Sequence, residues 1–192
     1  MRQWMLASAS GELFNPEEGL TLTSTTAAFS QFNLGGGETD AVFAGEITFP
    51  NPLTAGVLFE IGGGGRGSYL GILSDNTSFV IRAGDGGSDT GVTDAGKAEA
   101  IFNATEFAGR SGTIVWEFRI DGRATLWFNG EIIAQDTAAN GSFANNEYAG
   151  GDGGGWGISQ NSVAGGNSPT GNWQGSLLSG MRFYQGQNVI GA

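Results

Sequence analysis

Two acidic residues four positions apart, Glu117 and Asp121, form the pair in this sequence that most resembles an acid-base catalytic pair. Paired carboxylates hydrolyse glycosidic bonds when their carboxyl groups lie about 5 to 9.5 Å apart. On an extended strand, Cα atoms four residues apart are separated by roughly 13 Å. Asp121 also belongs to an Asp-Gly dipeptide, which favours a tight turn. We therefore interpret Glu117 as part of a solvated outer face, paired with Arg119, and Asp121 as a turn residue.

The side chains that most often carry catalysis and bind transition metals are missing from the chain. It has 192 residues but no histidine and no cysteine. Zinc and copper sites, Ser-His-Asp triads, cysteine nucleophiles and disulfides are therefore excluded within this chain. We predict that the protein is not an enzyme and that it requires no cofactor.

Acidic residues in glycine-rich loops could bind calcium, which accepts carboxylate and carbonyl oxygens at flexible spacing. Three aspartates lie between Gly84 and Gly96, and a fourth lies in a later glycine loop. These weak calcium candidates are Asp85, Asp89, Asp94 and Asp152. Their spacing matches neither an EF-hand nor an RTX repeat. Calcium is therefore an alternative that the sequence leaves open.

Two glycine-rich segments match parts of phosphate-binding motifs. Residues 62–67 satisfy G-x-G-x-x-G, but residues 68–73, which follow, are predicted to be a strand and not the helix that such a site needs. Residues 91–97 match the start of a P-loop, but Ala98 stands where a Ser or Thr hydroxyl must hold magnesium. We interpret both segments as loops without a nucleotide site.

Aromatic rings are the remaining candidates for a binding site. If Leu126 and Phe128 face the core, strand alternation places Trp127 on the outer face. We predict that Trp127 is an exposed ring that contacts a glycan or a neighbouring protein, and that its replacement by alanine leaves folding nearly intact. Tyr69 and Tyr148, both near glycine loops, are the further candidates.

Short alternating segments separated by turn residues must position these side chains. In the segment 113–120, Ile114, Trp116, Phe118 and Ile120 share the face predicted to be core. Asp121-Gly122 and Asn129-Gly130 predict tight hairpins, so residues 113–135 form a three-strand meander. Strands are predicted at 42–49, 57–61, 69–73, 78–82, 113–120, 124–128, 131–135 and 177–184, with weaker candidates at 20–25 and 28–34 and a helical turn or two within 95–102.

This pattern predicts an all-β protein with one domain over residues 1–192, of which residues 1–19 could form an N-terminal arm. The 36 glycines are clustered in the loops and have no three-residue period, which excludes collagen. The architecture expected from the strand pattern is a β-sandwich or a barrel.

Three consecutive segments resemble the middle of a concanavalin A-like jelly roll of the laminin-G type: residues 54–61, 69–73 and 78–82. Residues 113–133 are similar to that family's strand pair ending in an aromatic-x-Asp-Gly turn, with Asn129 where Asp is usual. Residues 156–158 and 173–184 are similar to its closing strands. The resemblance covers residues 40–186 and implies an antiparallel two-sheet β-sandwich.

The same resemblance bears on individual residues but hardly on function, because this fold hosts lectins, glycosidases, lyases, adhesion modules and virion proteins. It implies that Trp156 and Trp173 pack in the core. Relatives that hydrolyse glucans carry a third acid between their paired carboxylates, and here Arg119 occupies that position.

The charge of the chain excludes several partners. Eight Lys and Arg against 19 Asp and Glu give a net charge of -11. Because the arginines are scattered singly, nucleic acid is a poor partner, and the acidity disfavours anionic membranes. No apolar run is long enough to span a bilayer, and the apolar stretch at residues 4–7 is too short for a Sec signal peptide.

Our leading hypothesis is a non-catalytic attachment module on a virion surface, such as a bacteriophage head decoration, head fibre or tail component. Its partner would be a capsid or other virion structural protein, or a surface glycan, and it could form a homo-oligomer. The alternative is a carbohydrate-binding lectin domain. A polysaccharide hydrolase or lyase comes third.

Overall fold

The computed structural model describes residues 6–8, 20–22, 40–63, 66–84, 96–143, 155–157, 169–185 and 187–189, and these are mostly β-strand. Within them, no helix has the length and apolar character needed to cross a membrane. The strands are β1 (Leu6–Ser8), β2 (Leu20–Leu22), β3 (Ala41–Thr48), β4 (Gly56–Gly63), β5 (Arg66–Ile72), β6 (Ser78–Ala83), β7 (Ala98–Asn103), β8 (Ser111–Phe118), β9 (Arg123–Phe128), β10 (Glu131–Thr137), β11 (Gly155–Trp156), β12 (Ser176–Gln185) and β13 (Gln187–Val189). A short 3₁₀ turn, Thr105–Phe107, connects β7 to β8.

The strands form two antiparallel sheets that pack face to face as a sandwich. One sheet has six strands in the order β10-β9-β8-β3-β12-β2, and the other has five in the order β11-β4-β5-β6-β7. Strands β1 and β13 form a separate antiparallel pair. The predicted all-β, two-sheet jelly-roll architecture is therefore confirmed, since two antiparallel sheets enclose one core.

The core between the sheets is built from the side chains that alternate onto the inward face of each strand. Phe43, Ile47 and Phe49 on β3 and just after it are at most 1% exposed, as predicted, while Glu46 on the same strand is exposed. Trp116 on β8 is fully buried and stacks edge-on against Phe59 of the opposite sheet, with ring centroids 5.4 Å apart. Aromatic contacts of this kind join the two sheets.

Phe49 is the centre of an aromatic cluster at the end of β3. Its ring centroid lies 5.4 Å from that of Phe107 and 5.4 Å from that of Phe128, and 5.7 to 5.8 Å from those of Trp173 and Phe79. These rings come from both sheets and from two connecting segments. The cluster therefore fixes the connections relative to the sheets.

The two predicted hairpins differ in the structure. Asn129 (φ 48°) and Gly130 (φ 96°) join β9 to β10 in a two-residue turn, as predicted, because both residues tolerate positive φ. The Asp121-Gly122 turn is longer, because β8 ends at Phe118 and residues 119–122 form the connection. Ile120 therefore lies in the turn and is 59% exposed, so its predicted place in the core is wrong.

The predicted helical turn within 95–102 is also wrong, because this segment contains β7. Strand β7 pairs with β6 over its whole length, from Ala98 opposite Ala83 to Asn103 opposite Ser78. Strand β6 offers an unpaired edge, so pairing with it satisfies the backbone groups of β7. The Asp136 carboxylate of β10 accepts a hydrogen bond from the Glu99 N–H at 2.7 Å and ties the two sheets together at this side.

The N-terminal predictions are partly within the described residues. Strand β2 lies inside the predicted strand 20–25 and pairs with β12. Strand β1 lies inside the predicted N-terminal arm. The predicted strand 28–34 lies outside the described residues.

Replacing Trp116 by alanine should lower the free energy of unfolding by about 3 to 5 kcal/mol, because the cavity it leaves lies between the two sheets. Ile120→Ala is the matched control. Because this side chain is exposed, its replacement should change the free energy of unfolding by less than about 0.5 kcal/mol. Urea unfolding followed by tryptophan fluorescence and circular dichroism measures both. Equal losses in the two variants would show that the core is assigned incorrectly.

The turn between β5 and β6 is organised by one carboxylate. Asp75 accepts hydrogen bonds from the Thr77 and Ser78 N–H groups, both at 2.8 Å, and from the Ser78 hydroxyl at 2.6 Å. The Ser78 hydroxyl, followed by the two backbone donors, lowers the pKa of Asp75 from 3.8 to about 2. The charged carboxylate therefore stabilises the folded state.

This lowered pKa predicts a pH-dependent difference in stability between the wild type and Asp75→Asn. The variant retains one side-chain oxygen as a hydrogen-bond acceptor but has no charge. The contribution is present above the usual pKa of 3.8 and is lost as the pH falls to about 2. The wild type should have the higher melting temperature at neutral pH, and the gap should close over that range. Because Asp75 is exposed, the gap is small. A gap independent of pH would contradict this assignment.

Candidate functional site

Trp127 lies on the outer face of the six-stranded sheet, as its position between Leu126 and Phe128 predicted. Those two neighbours belong to the core cluster, and Trp127 lies opposite Val115 of β8. The ring is only 6% exposed, however, so the prediction of an exposed platform is wrong. Alternation along a strand fixes the face of a residue, but exposure depends on what covers that face.

Tyr69 is likewise a buried ring on the outer face of the five-stranded sheet, with 1% of its surface exposed. Its hydroxyl accepts a hydrogen bond from Arg82 Nη1 at 3.3 Å, and the guanidinium lies 5.9 Å from the ring centroid. Arg82 also pairs with Glu99 at 3.7 Å. Glu60, Tyr69, Arg82 and Glu99 occupy one row across β4 to β7. Tyr69 therefore presents almost no surface to solvent, and its predicted role as a contact residue stays a prediction.

The other predicted binding and metal residues lie outside the described residues. They are Tyr148, Asp85, Asp89, Asp94 and Asp152. Among the residues that the structure describes, no group of three or more His, Cys, Asp or Glu side chains could hold a metal ion. Calcium at the aspartates therefore stays a prediction.

Glu117 and Asp121 are separated by a cation. Arg119 places Nη1 4.0 Å from a Glu117 oxygen and Nε 4.0 Å from an Asp121 oxygen. Asp121 accepts a hydrogen bond from the Arg123 N–H at 3.2 Å, so its predicted turn role is confirmed. Glu117 is fully buried, which corrects the prediction of a solvated face. The pair does not enclose a space for a glycosidic bond.

The structure instead presents an accessible cleft at one end of the sandwich, with a volume of about 450 Å³. This is within the range of roughly 300 to 1,000 Å³ that is typical of ligand-binding clefts. The cleft is formed by the end of β7, the 3₁₀ turn and its C-terminal flank, and the β9-β10 hairpin. Its lining residues are Phe102, Asn103, Glu106, Phe107, Arg110, Phe128, Asn129, Glu131, Ile132 and Ile133.

The 3₁₀ turn is fixed at its start by Asn103. The Asn103 side-chain oxygen accepts from the Thr105 N–H at 2.9 Å and from the Thr105 hydroxyl at 2.6 Å. The Phe107 N–H donates to the Ala104 carbonyl at 2.9 Å. This short turn points Phe107 into the core, where it is 6% exposed, and leaves Glu106 exposed beside the cleft.

Arg110 is held in place by its backbone and by two rings. Its N–H donates to the Phe107 carbonyl at 2.8 Å, and its carbonyl accepts from the Phe49 N–H at 2.9 Å. The guanidinium carbon lies 5.3 Å from the Phe107 centroid and 5.6 Å from the Phe128 centroid. This is cation-π distance. Among the described residues Arg110 forms no ion pair, so its donors are available to a ligand.

The β9-β10 hairpin supplies the opposite wall. Asn129 Oδ1 accepts from the Thr113 N–H at 3.0 Å, which ties the turn to β8. Glu131, the first residue of β10, is exposed. An irregularity between Ile132 and Ala134 places two consecutive isoleucines in the wall. Ile133 packs partly against the core, while Ile132 is 47% exposed.

The cleft therefore combines three kinds of surface that a polar, ring-shaped ligand requires. Arg110 offers a planar set of donors with fixed orientation. The exposed carboxylates Glu106 and Glu131 offer acceptors, and Ile132 offers an apolar surface. These groups equip the cleft for hydrogen bonding and apolar contact.

A second, smaller cleft of about 250 Å³ lies beside Trp156, Trp173 and Leu177. The two tryptophans are 1% and 7% exposed and belong to the core cluster, as the family resemblance implied. The cleft is lined by these side chains and by two glycines, and none of its lining residues is charged. It is therefore less suited to a polar ligand.

Sequence reasoning did not single out Glu106, Arg110 or Glu131. Arg110 follows a short connection and was counted among the scattered arginines. The one available signal was the Asn129-Gly130 turn, which predicts that Glu131 starts a strand at a hairpin. The cleft itself joins segments from both sheets, and no local pattern relates them.

Comparison with solved structures shows the same fold in proteins of very different sequence. The CBM40 carbohydrate-binding module of the Ruminococcus gnavus IT-sialidase, bound to α2,6-sialyllactose, matches with a TM-score of 0.50 and 16% identity. The match covers 84% of this chain and 92% of the module. The leech intramolecular trans-sialidase, complexed with 2,7-anhydro-Neu5Ac, matches with a TM-score of 0.51 and 11% identity. That match covers 93% of this chain and 27% of the leech protein.

Mouse laminin α1 chain domains LG4-5 match less closely, with a TM-score of 0.45, 15% identity and coverage of 96% of this chain and 45% of that one. The sequence matches no protein-family model and no curated protein. The matches to the CBM40 module and the leech protein support the concanavalin A-like jelly-roll fold. A shared fold does not identify the ligand, which depends on the side chains that line the cleft.

Replacing Trp127 by alanine should destabilise the fold, because the ring is buried even though it is outside the inter-sheet core. We expect a loss of about 3 kcal/mol in the free energy of unfolding, near the lower end for large buried side chains. Ile101→Ala, at a side chain that is 45% exposed, is the control and should cost less than about 1 kcal/mol. An unchanged unfolding midpoint for Trp127→Ala would restore the prediction of a surface ring.

Proposed function

We propose that this domain is a non-catalytic carbohydrate-binding module whose ligand lies in the cleft at the end of the sandwich. The observation that carries the proposal is the juxtaposition of Arg110, held on two phenyl rings, with the exposed carboxylates of Glu106 and Glu131. The shared fold with a sialidase-associated CBM40 module that was solved with sialyllactose supports this class of function.

A sugar ring presents hydroxyl groups at its edge and C–H groups on its faces. Each hydroxyl can donate one hydrogen bond and accept others, so a carboxylate and a guanidinium together satisfy it. Charged partners make these hydrogen bonds stronger than neutral ones. The exposed surface of Ile132 can cover a C–H face. The lining of the cleft is therefore complementary to a sugar.

The cleft favours binding over hydrolysis. Glu106 and Glu131 lie on opposite walls of an open cleft and are both exposed to solvent, so the site does not exclude water from a bound sugar. At the other carboxylate pair, the Arg119 side chain lies between Glu117 and Asp121. These arrangements support a module without catalytic activity.

Attachment to a capsid protein, a place on a virion surface and a homo-oligomeric state stay predictions. The roles of Trp127, Tyr69 and Tyr148 as contact residues also stay predictions, and the proposed cleft site does not depend on them. The similar structures described above are not virion proteins. The lectin hypothesis is therefore preferred to the virion hypothesis.

Arg110→Ala should reduce affinity for any glycan that the domain binds by at least about tenfold, which corresponds to 1.4 kcal/mol. The physical reason is the loss of the guanidinium that the described lining of the cleft contains. Binding is measured by isothermal titration calorimetry against ligands first found on a glycan array. Circular dichroism checks that the variant is folded, since the lost cation-π contact costs about 0.5 to 1 kcal/mol.

Arg119→Ala is the matched control, because it removes the same side chain from the hairpin between β8 and β9, outside the cleft lining. It should leave glycan affinity unchanged within about twofold, equivalent to less than 0.5 kcal/mol. Equal losses in both variants would contradict the cleft as the site. Release of reducing ends that Glu131→Gln abolishes would show a hydrolase instead.

A further inference from the structure

We infer that the cleft selects uncharged glycans and discriminates against sugars that carry a carboxylate. This inference rests on the proposed function, because it names the ligand class of the same cleft. It separates this chain from the CBM40 module of the same fold, which was solved with sialyllactose, an acidic sugar. The fold is shared, but the charges that line this cleft are particular to the present sequence.

The charge balance of the cleft is the first argument. One guanidinium, on Arg110, and two carboxylates, on Glu106 and Glu131, line the same 450 Å³ space. Salt screens charges from one another only in part when they lie within about one Debye length, roughly 8 to 10 Å at moderate ionic strength. A ligand carboxylate that pairs with Arg110 would therefore also face two like charges. A hydroxyl would accept from Arg110 and donate to either carboxylate.

The position of Arg110 is the second argument. Its guanidinium lies beside the Phe107 and Phe128 rings, which cover part of its surface. Backbone hydrogen bonds to Phe49 and Phe107 fix the main chain of Arg110. These contacts favour a position of the guanidinium beside the two rings, in the cleft that Glu106 and Glu131 also line. There it offers a planar set of donors.

The charge of the whole chain adds to this selection. With a net charge of -11, the protein repels anionic polysaccharides before they reach the cleft. The exposed side chain of Ile132 favours a ligand with uncharged C–H surface. Local and global features thus favour the same class, a neutral hexose or a neutral oligosaccharide.

The test uses matched pairs of glycans that differ in one charged group. Lactose is compared with α2,3- and α2,6-sialyllactose, and a neutral polysaccharide with its carboxylated counterpart, by calorimetry at low and high salt. The neutral member of each pair should bind at least about tenfold more tightly. Its affinity should change little with salt, whereas residual binding of the acidic member should increase as salt screens the repulsion.

A charge-neutralising variant tests which residue causes the discrimination between neutral and acidic glycans. Glu131→Gln keeps the shape of the side chain and removes one negative charge, so affinity for the acidic member should rise several-fold. Affinity for the neutral member should fall, because a neutral amide forms weaker hydrogen bonds than a carboxylate does, so the preference for the neutral member should narrow from both sides. Asp121→Asn, which removes an exposed charge outside the cleft lining, is the control and should leave the ratio unchanged.

The outcomes separate the two claims. Tighter binding of the sialylated member, lost in Arg110→Ala, would overturn the selection for neutral ligands and leave the proposed carbohydrate-binding function standing. Failure of the folded domain to bind any glycan on the panel would overturn both. Preference for the neutral member that Glu131→Gln does not reduce would show that the carboxylates are not its source.

Discussion

The packing of Phe49 against four other rings is the contact on which the rest of the site depends. Phe49 follows the last residue of β3, is 1% exposed, and meets Phe79, Phe107, Phe128 and Trp173. These rings come from both sheets and from the segments that connect them. Close-packed aromatic contacts of this kind restrict how the connected segments can shift relative to one another. The segments that form the cleft are therefore anchored to the core at this end of the sandwich.

The backbone connects the polar groups of the cleft to this aromatic cluster. The carbonyl of Arg110 is bonded to the N–H of Phe49, so the guanidinium is carried by the same cluster that closes the core. A preorganised donor loses less conformational entropy on binding than a free side chain does. The lining of the cleft then combines one cation and two carboxylates in a polar site.

The fold and the ligand are separate questions in this protein. A two-sheet jelly roll is shared with modules of about 16% identity, and it serves many functions. What is specific here is the set of side chains at one end and the burial of several outward residues at the middle of the sheets, where Glu60, Tyr69 and Arg82 on one sheet and Glu117 and Trp127 on the other are at most 6% exposed. These residues do not form open platforms, whereas the cleft is accessible and carries charged groups.

The sequence by itself determined the strands, most of their faces and the Asn129-Gly130 hairpin, because the two-residue alternation and the positive-φ turn are local properties. Tertiary structure decided that 98–103 is a strand, since the edge of β6 supplies its hydrogen bonds. It also decided that Trp127 is buried, because burial depends on what lies above a face. The meander β8-β9-β10 brings Arg110, just before β8, near Glu131 at the start of β10 within one sheet. Only the packing of the two sheets adds the wall formed by the end of β7, because β7 belongs to the opposite sheet.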